Sequence, residues 1–323
     1  MNFWYNKNAP PVFIAKRSKT ILHPFTIGKY HGHTLNVYQG CQHRCGYCYA
    51  TYEWSPEFYN KIYAKNNAPE ILENEIRNWR SGDILPVMVS SATDAYQPAE
   101  MKFELTRKCV KILQKYDVPY YIFTKSTLIA RDLDLHADYR DKCFIVWSIT
   151  TADEKIRRIL EPGTPPTASM FKVMEKFISK RIQCAVNIDP IIPLVTDSNE
   201  NIDTIISLCK VTGIKNVFGA FLRLRYDIWD RLKMVFALLN MNLDFSINHY
   251  KKIYGFSEPL RHDNNLSMER SLESTFLNNI ASKVLENGMI NGFPELKENK
   301  FPYNTKFKNC DKRQLTLNNY LDS

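Results

Sequence analysis

Short apolar runs alternate with amphipathic segments along most of the chain. Runs rich in β-branched residues predict strands at 35–38, 86–91, 119–124, 144–150, 183–188 and 217–222. Apolar residues at helical spacing between these runs predict helices at 69–80, 99–116, 168–180, 200–211 and 228–240. After about residue 245 the alternation stops, and only one further helix is predicted, at 267–287.

Six strands, each followed by a helix, require a parallel sheet with helices on its outside. Right-handed crossovers curl such a sheet into an open or closed barrel. We therefore predict an α/β fold, a partial (βα)6 TIM-type barrel over 35–244, with an N-terminal arm at 1–34 and a C-terminal extension at 245–323. Ligands of such folds bind at the carboxyl ends of the strands.

The composition is that of an ordinary globular protein, with 44% hydrophobic and 24% charged residues in 323. No apolar run is long enough for a membrane span, and the N-terminus does not read as a signal peptide, so we expect a cytoplasmic protein. Eight cysteines are few for a disulfide scaffold. The net charge of +9 favours a polyanionic partner, with nucleic acid first among the candidates.

Three cysteines lie close together in the segment "NVYQGCQHRCGYCYATY", at Cys41, Cys45 and Cys48. Spacing this tight, with glycines and no helical stripe, argues against three unrelated buried thiols. One reading is structural zinc, which needs a fourth ligand. That ligand could come from His31, His33 or His43. The other reading is a [4Fe–4S] cluster with one iron left open for a substrate or cofactor.

The C-x3-C-x2-C spacing, with an aromatic residue before the last cysteine, resembles the radical S-adenosylmethionine (SAM) superfamily. The stretch "LNVYQGCQHRCGYCYA" and the later blocks "SSATDAYQPAE", "FTKS", "WSITTADEKIRRILEP" and "NIDPIIPLVTD" resemble the spore photoproduct lyase-like branch, in the same order. The resemblance covers roughly residues 17 to 225. It implies a [4Fe–4S] cluster on the three cysteines, SAM on the open iron, and a flavodoxin- or ferredoxin-like electron donor. Reductive SAM cleavage would give a 5′-deoxyadenosyl radical that abstracts hydrogen from a substrate, for which a nucleic-acid or nucleotide-derived molecule is favoured.

The same blocks supply candidate contacts to the cofactor. Asp94, after the second strand, can accept hydrogen bonds from the SAM ammonium group, and Lys125 can pair with its carboxylate. The other candidates are Tyr47, Thr93, Ser148, Asn187 and Arg223. Each has a structural alternative: a helix cap at Thr93 or Asp94, a rim lysine, a satisfied interior hydroxyl, an ion pair at Arg223, or packing of tyrosine against the cluster.

Two further positions concern the reaction itself. The resemblance implies a hydrogen-atom relay at Tyr49, whereas packing is the alternative. The lyase has a hydrogen-donating cysteine after the second strand, where this chain has Ser91, whose O–H bond is too strong for that role. Any role of Ser91 in the reaction would therefore be to position a substrate. The family's Glu-Pro-Arg triplet is here Glu161-Pro162-Gly163, and thymine-dimer reversal is therefore not expected.

Two basic segments could contact nucleic acid. Segment 297–313 has six basic and two acidic residues, interleaved with three aromatic ones, and 16–19 reads "KRSK". A solvated, aromatic-anchored segment is the alternative for the first. Two other functions stay open: radical SAM modification of a peptide or small metabolite, and a non-catalytic Zn- or Fe–S-stabilised nucleic-acid-binding protein.

Overall fold

The fold was analysed in a computed structural model, which describes residues 10–27, 30–51, 56–80, 84, 86–261 and 265–293. The strands are β1 (Val12–Lys16), β2 (Leu22–Ile27), β3 (Tyr30–Leu35), β4 (Tyr38–Gln39), β5 (Lys61–Lys65), β6 (Val87–Val89), β7 (Tyr120–Thr124), β8 (Cys143–Ser148), β9 (Gln183–Ile191), β10 (Asn216–Phe221), β11 (Leu224–Arg225), β12 (Asn265–Leu266) and β13 (Ile290–Asn291).

Helices follow most of the parallel strands. They are α1 (Ala68–Arg77), α2 (Glu100–Phe103), α3 (Leu105–Lys115), α4 (Leu133–Ala137), α5 (Glu154–Leu160), α6 (Thr167–Ser179), α7 (Asn199–Thr212), α8 (Tyr226–Leu238), α9 (Leu243–Tyr254) and α10 (Arg270–Glu286). Short 3-10 helices lie at Pro56–Tyr59 and Leu128–Asp132. In the described residues no helix has both the length and the apolar character that crossing a bilayer requires.

One eight-stranded sheet organises the molecule, in the order β13-β10-β9-β8-β7-β6-β3-β2. All neighbours pair in parallel except β2, which is antiparallel to β3. The sheet is open, with β13 and β2 at its edges. The predicted α/β class and partial TIM-type barrel are thus confirmed, and both flanking segments add strands to the sheet.

The two faces of this sheet have different partners. One face packs under the helices in the main core and includes Ile122, Ile145 and Trp147, all fully buried. Because side chains alternate along a strand, the residues between these point to the opposite, inner face of the sheet. A second, mostly aromatic cluster forms on that face, and the ring of Phe293, just after β13, packs against it. Its other members are Tyr121, Phe123, Phe144, Val146, Ala185 and Phe218.

Two predicted elements differ from the observed ones. The strand predicted at 35–38 is split, because Asn36 turns its side chain to Ser91 Oγ and to the backbone N–H of Ala92. The chain then pairs with β5 in a separate three-stranded sheet. The helix predicted at 99–116 is broken at Glu104, which has a φ of 51°. Here the Glu100 carboxylate accepts N–H bonds from the first turn of α3 and starts a new helix.

Candidate functional site

The cysteine loop follows β4, beside the carboxyl ends of the parallel strands. Gly40 begins it with a φ of 92°, and a Cβ atom there would lie 2.2 Å from the carbonyl oxygen of Lys61. Only glycine fits this turn. The loop backbone is then held by Phe58 and Leu160, whose carbonyl groups accept from the N–H groups of Cys41 and Gly46 at 3.1 and 2.7 Å.

The thiols of Cys41, Cys45 and Cys48 interact electrostatically with one another, and none is in a disulfide. Burial is the main cause that raises the pKa of all three. Such thiols stay protonated alone and lose the proton when a metal binds. Three soft donors on one loop fit an iron–sulfur cluster. In the described part of the chain no three His, Cys, Asp or Glu side chains converge on a single metal-ion position.

Cys41 lies beside a buried ion pair. Its thiol accepts from the backbone N–H groups of His43 and Asp94, which lowers its pKa against the effect of burial. His43 Nε2 is 3.2 Å from Asp94 Oδ2, and His43 Nδ1 is 3.1 Å from the carbonyl oxygen of Gly163. Burial lowers the pKa of His43, but the Asp94 carboxylate, the Gly163 carbonyl group and the Glu161 carboxylate together raise it by more.

The three histidines considered as a fourth zinc ligand have different surroundings. His43 Nε2 is within ion-pair distance of Asp94 and Nδ1 contacts the Gly163 carbonyl oxygen, so these two groups orient the ring here. His33 packs its buried ring edge-on against Trp79, with 4.8 Å between the ring centroids. The side chain of His31 lies outside the described residues.

Asp94 joins three parts of the site. Its Oδ1 accepts from Tyr96 N and Thr124 Oγ1, both at 2.8 Å, and its Oδ2 accepts from Lys125 N at 2.6 Å as well as facing His43. A carboxylate has about four acceptor positions, and all are used. Asp94 therefore connects the cysteine loop, through His43, to the ends of β6 and β7, and its carboxylate holds these three segments in place. The predicted contact with SAM stays a prediction, and it would require one of these donors to be displaced.

Cys45 lies beside a second ion pair, between Lys125 and Glu161. Lys125 Nζ is 2.9 Å from Glu161 Oε1, 3.0 Å from the carbonyl oxygen of Ser148 and 3.2 Å from Thr150 Oγ1. Tyr47 donates its hydroxyl to the same carboxylate oxygen, and its ring lies under the lysine ammonium. Burial raises the pKa of Cys45, Glu161 raises it further, and Lys125 lowers it.

Cys48 lies beside a third ion pair, formed on α8. Arg231 Nη1 is 3.1 Å from Asp227 Oδ2, and both side chains are mostly buried. Burial raises the pKa of the Cys48 thiol, and the nearby Arg231 charge lowers it. Each cysteine of the loop is thus next to a carboxylate paired with a cation.

Of the remaining candidates, three lie at the inner rim of the sheet: Thr93, Ser148 and Asn187. Ser148 and Asn187 are register partners on β8 and β9. Asn187 Nδ2 donates to Asp189 Oδ2 at 3.1 Å, whereas Asn187 Oδ1 and Thr93 Oγ1 are buried without a partner among the described residues. Burial raises the pKa of Asp189. Arg223 lies elsewhere: it follows β10, and its charge acts on the hydroxyl of Tyr254.

Tyr49 and Ser91 are in direct contact. The Tyr49 hydroxyl donates to the backbone carbonyl of Ser91. The Ser91 hydroxyl is held by Thr34 Oγ1 at 2.7 Å and by Asn36 Nδ2 at 3.1 Å. The two residues predicted to concern the reaction therefore lie together.

The sequence analysis did not single out Glu161, Asp227 and Arg231 as site residues. Glu161 was noted only for the triplet in which it stands. Asp227 and Arg231 have the i, i+4 spacing of an ion pair on a helix face, but that spacing is common on solvated helices. The glycine at position 163, where the family triplet has arginine, is required by close backbone packing: a Cβ atom there would lie 2.2 Å from the carbonyl oxygen of Gln42. An arginine side chain cannot be accommodated at that position. The basic segment 297–313 lies outside the described residues.

Comparison with known proteins agrees with this site. The model of the radical SAM superfamily matches residues 35–208, more than half of the chain. The chain therefore belongs to the radical SAM superfamily. Members use SAM and an iron–sulfur cluster, which supports an enzyme here.

Two sequence relatives and one solved structure are similar to this chain. An uncharacterised protein of Mycobacterium tuberculosis is 31% identical over 205 residues, which is 59% of this chain and 59% of that protein. A protein of Acidianus two-tailed virus is 28% identical over 239 residues, covering 68% of this chain and 77% of the relative. The chain thus spans about three fifths of the mycobacterial relatives that it matches. Spore photoproduct lyase, solved with dinucleoside spore photoproduct, has the same fold, with a TM-score of 0.66 at 14% identity over 90% of this chain and 84% of that one.

Proposed function

We propose that this protein is a radical SAM enzyme that abstracts hydrogen from a nucleic-acid or nucleotide-derived substrate. The observation that carries the proposal is the cysteine loop. Its three thiols interact with one another, and each has a paired carboxylate and cation beside it. Such pairs are close to neutral, so they fix the loop without a large net charge next to the metal.

Cys41, Cys45 and Cys48 would hold a [4Fe–4S] cluster with one iron left open. When bound, the reduced cluster would supply the electron that cleaves SAM to methionine and a 5′-deoxyadenosyl radical, which takes a hydrogen atom from the substrate. The N–H groups of His43 and Asp94 at the Cys41 thiol would stabilise its thiolate.

The polar rim would bind SAM. Thr93 Oγ1 and Asn187 Oδ1 are the atoms that support this, because they are buried and still have hydrogen-bonding capacity among the described contacts. Lys125 remains the candidate for the SAM carboxylate. Its three N–H donors are all engaged, so binding there would exchange one acceptor, such as Thr150 Oγ1, for a SAM oxygen.

The substrate would lie on the inner face of the sheet, where aromatic rings approach the polar rim. Phe218 and Phe293 have ring centroids 5.7 Å apart, and Phe218 is the register partner of Asn187. Aromatic surface next to hydrogen-bonding groups suits a nucleobase. The basic net charge and the fold shared with a dinucleoside-bound lyase support the same substrate class.

The lyase reaction itself is not proposed. Ser91 stands where the lyase has its hydrogen-donating cysteine, and its hydroxyl is held by Thr34 and Asn36. We propose that Ser91 and Tyr49 position the substrate. A relay through Tyr49 would require its hydroxyl to leave the carbonyl of Ser91.

Anaerobic reconstitution with iron and sulfide tests the enzyme class. The protein should acquire the broad visible absorbance of a cluster and, with dithionite and SAM, should form 5′-deoxyadenosine. Cys45→Ser should abolish both, and Cys109→Ser, which changes a buried cysteine on α3, should not. A colourless protein with bound zinc and no 5′-deoxyadenosine would refute the proposal in favour of a structural metal site.

Deuterium-labelled DNA tests the substrate class. Deuterium in the 5′-deoxyadenosine identifies DNA as the hydrogen source. If no form of DNA or RNA transfers label while SAM is still cleaved, the enzyme class stands. The substrate is then a peptide or small metabolite.

A further inference from the structure

Arg231 contacts the backbone of the cysteine loop from a part of the chain beyond the residues that the family model matches. Its Nε donates to the carbonyl oxygen of Gly46 at 2.6 Å, and its Nη2 donates to that of Cys48 at 3.2 Å. A guanidinium presents its donors in a planar fork, so bonds to two carbonyl groups two residues apart fix both its orientation and theirs.

The same guanidinium also reaches the residues after the last cysteine. Nη2 donates to Thr51 Oγ1 at 3.0 Å, and Nη1 pairs with Asp227. Thr51 Oγ1 lies 2.8 Å from the carbonyl oxygen of Cys48 and 2.6 Å from Asp227 Oδ2. One side chain on α8 therefore holds the segment 46–51 through the backbone at Gly46 and Cys48 and through the hydroxyl of Thr51.

Between these contacts lie the amide groups that face the Cys48 sulfur. The backbone N–H groups of Ala50 and Thr51 donate to the thiol. Hydrogen bonds to the sulfurs and nearby charge are two of the terms that set the potential of an iron–sulfur cluster. Moving the backbone by a few tenths of an ångström would weaken these bonds directly.

We propose that Arg231 is a positioning residue for the cluster: it holds Cys48 and the two amides that donate to its sulfur, and Asp227 orients it. The proposal rests on the cluster proposed above, but its structural part, the clamp on residues 46–51, does not require the cluster. Arg231 acts through the loop and contacts neither SAM nor substrate in this scheme.

Arg231→Met removes the charge and the fork, whereas Arg231→Lys keeps the charge and loses the fork. The control is Lys233→Gln, which removes a charge from the same helix at a side chain paired with Asp230 and Glu258. We expect Arg231→Met to bind iron roughly tenfold more weakly after reconstitution, since loss of a group that orients a ligand costs about 10- to 100-fold. Its cluster potential should shift to more negative values. Arg231→Lys should lose iron affinity with a smaller potential shift, and Lys233→Gln should match the unmodified protein.

Hydrogen exchange of the metal-free protein tests the contact between Arg231 and residues 46–51 independently of the cluster. Peptides covering 45–51 should exchange roughly tenfold faster in Arg231→Met, and also faster in Asp227→Asn, than in Lys233→Gln. Unchanged exchange and unchanged iron affinity in Arg231→Met would overturn the proposal. If Arg231→Met does not fold, the same two measurements on Arg231→Lys and Asp227→Asn test the proposal. If the unmodified protein binds no iron, the proposed function fails, but hydrogen exchange still shows whether Arg231 holds residues 46–51.

Discussion

The ion pair between Lys125 and Glu161 allows a quantitative prediction for Lys125→Met. The side chains are only 11% and 2% exposed, and the substitution leaves the Glu161 carboxylate buried without its cation. The carboxylate can then take up a proton, which limits the penalty. Protonating a group whose ordinary pKa is 4.5 costs about 3 kcal/mol at pH 7. We expect the free energy of unfolding to fall by about that amount, in the range seen when one partner of a buried pair is removed.

The pH dependence identifies this cause. Burial raises the pKa of Glu161, and in the unmodified protein the Lys125 charge, together with hydrogen bonds from Tyr47, Lys125 and Thr150, more than offsets this, so the net shift is downward. Without Lys125 we expect the folded-state pKa to rise, and the penalty should shrink as the pH falls, to about 1 kcal/mol or less at pH 5. Urea unfolding of the metal-free protein, followed by fluorescence of the buried Trp147 and Trp229, measures this.

The matched control is the double variant Lys125→Met with Glu161→Gln. It removes both charges and should recover most of the lost stability, because no uncompensated charge is left. A loss in the single variant that does not vary between pH 7 and 5, or a double variant no more stable than the single one, would refute the reasoning.

Three further predictions concern other parts of the molecule. Gly163→Ala should destabilise the protein by about 1–3 kcal/mol in urea unfolding and reduce iron retention, because its Cβ would meet the backbone of the cysteine loop; unchanged iron retention would contradict this. His136 is buried between the hydroxyls of Tyr96 and Tyr120, and burial lowers its pKa to about 4, so the unfolded state binds the proton first as the pH falls below 6.5. Stability should therefore drop by about 2 kcal/mol between pH 7 and 5 through this group, and His136→Gln should remove that part of the slope. Phe293→Ala should weaken nucleotide binding, measured by equilibrium dialysis, more than it weakens SAM binding; equal effects on both ligands would contradict the placement of the substrate on the aromatic face.

The order of strands and helices was predictable because it follows from local patterns. A strand such as β8 is apolar on both faces, and a helix such as α7 has its apolar residues on one side. The boundaries that were wrong depend on side chains distant in sequence. Asn36 splits a predicted strand by bonding to residues near 91, and the carboxylate of Glu100 starts a new helix inside a continuous helical pattern. A single-sequence pattern does not contain these contacts.

The closeness of the three thiols follows from the sequence alone, because they stand within eight residues whatever the rest of the chain does. The apolar runs likewise indicated the parallel strands β6 to β10, but not the strands that the flanking segments add to the sheet. What stands beside each cysteine, in contrast, depends on contacts between distant segments. His43 and Lys125 pair with Asp94 and Glu161 from other segments of the chain, because an unpaired charge is costly away from water, whereas Arg231 pairs with Asp227 on its own helix. Which pair stands beside which cysteine depends on how these segments pack against the loop, and no local pattern specifies that packing.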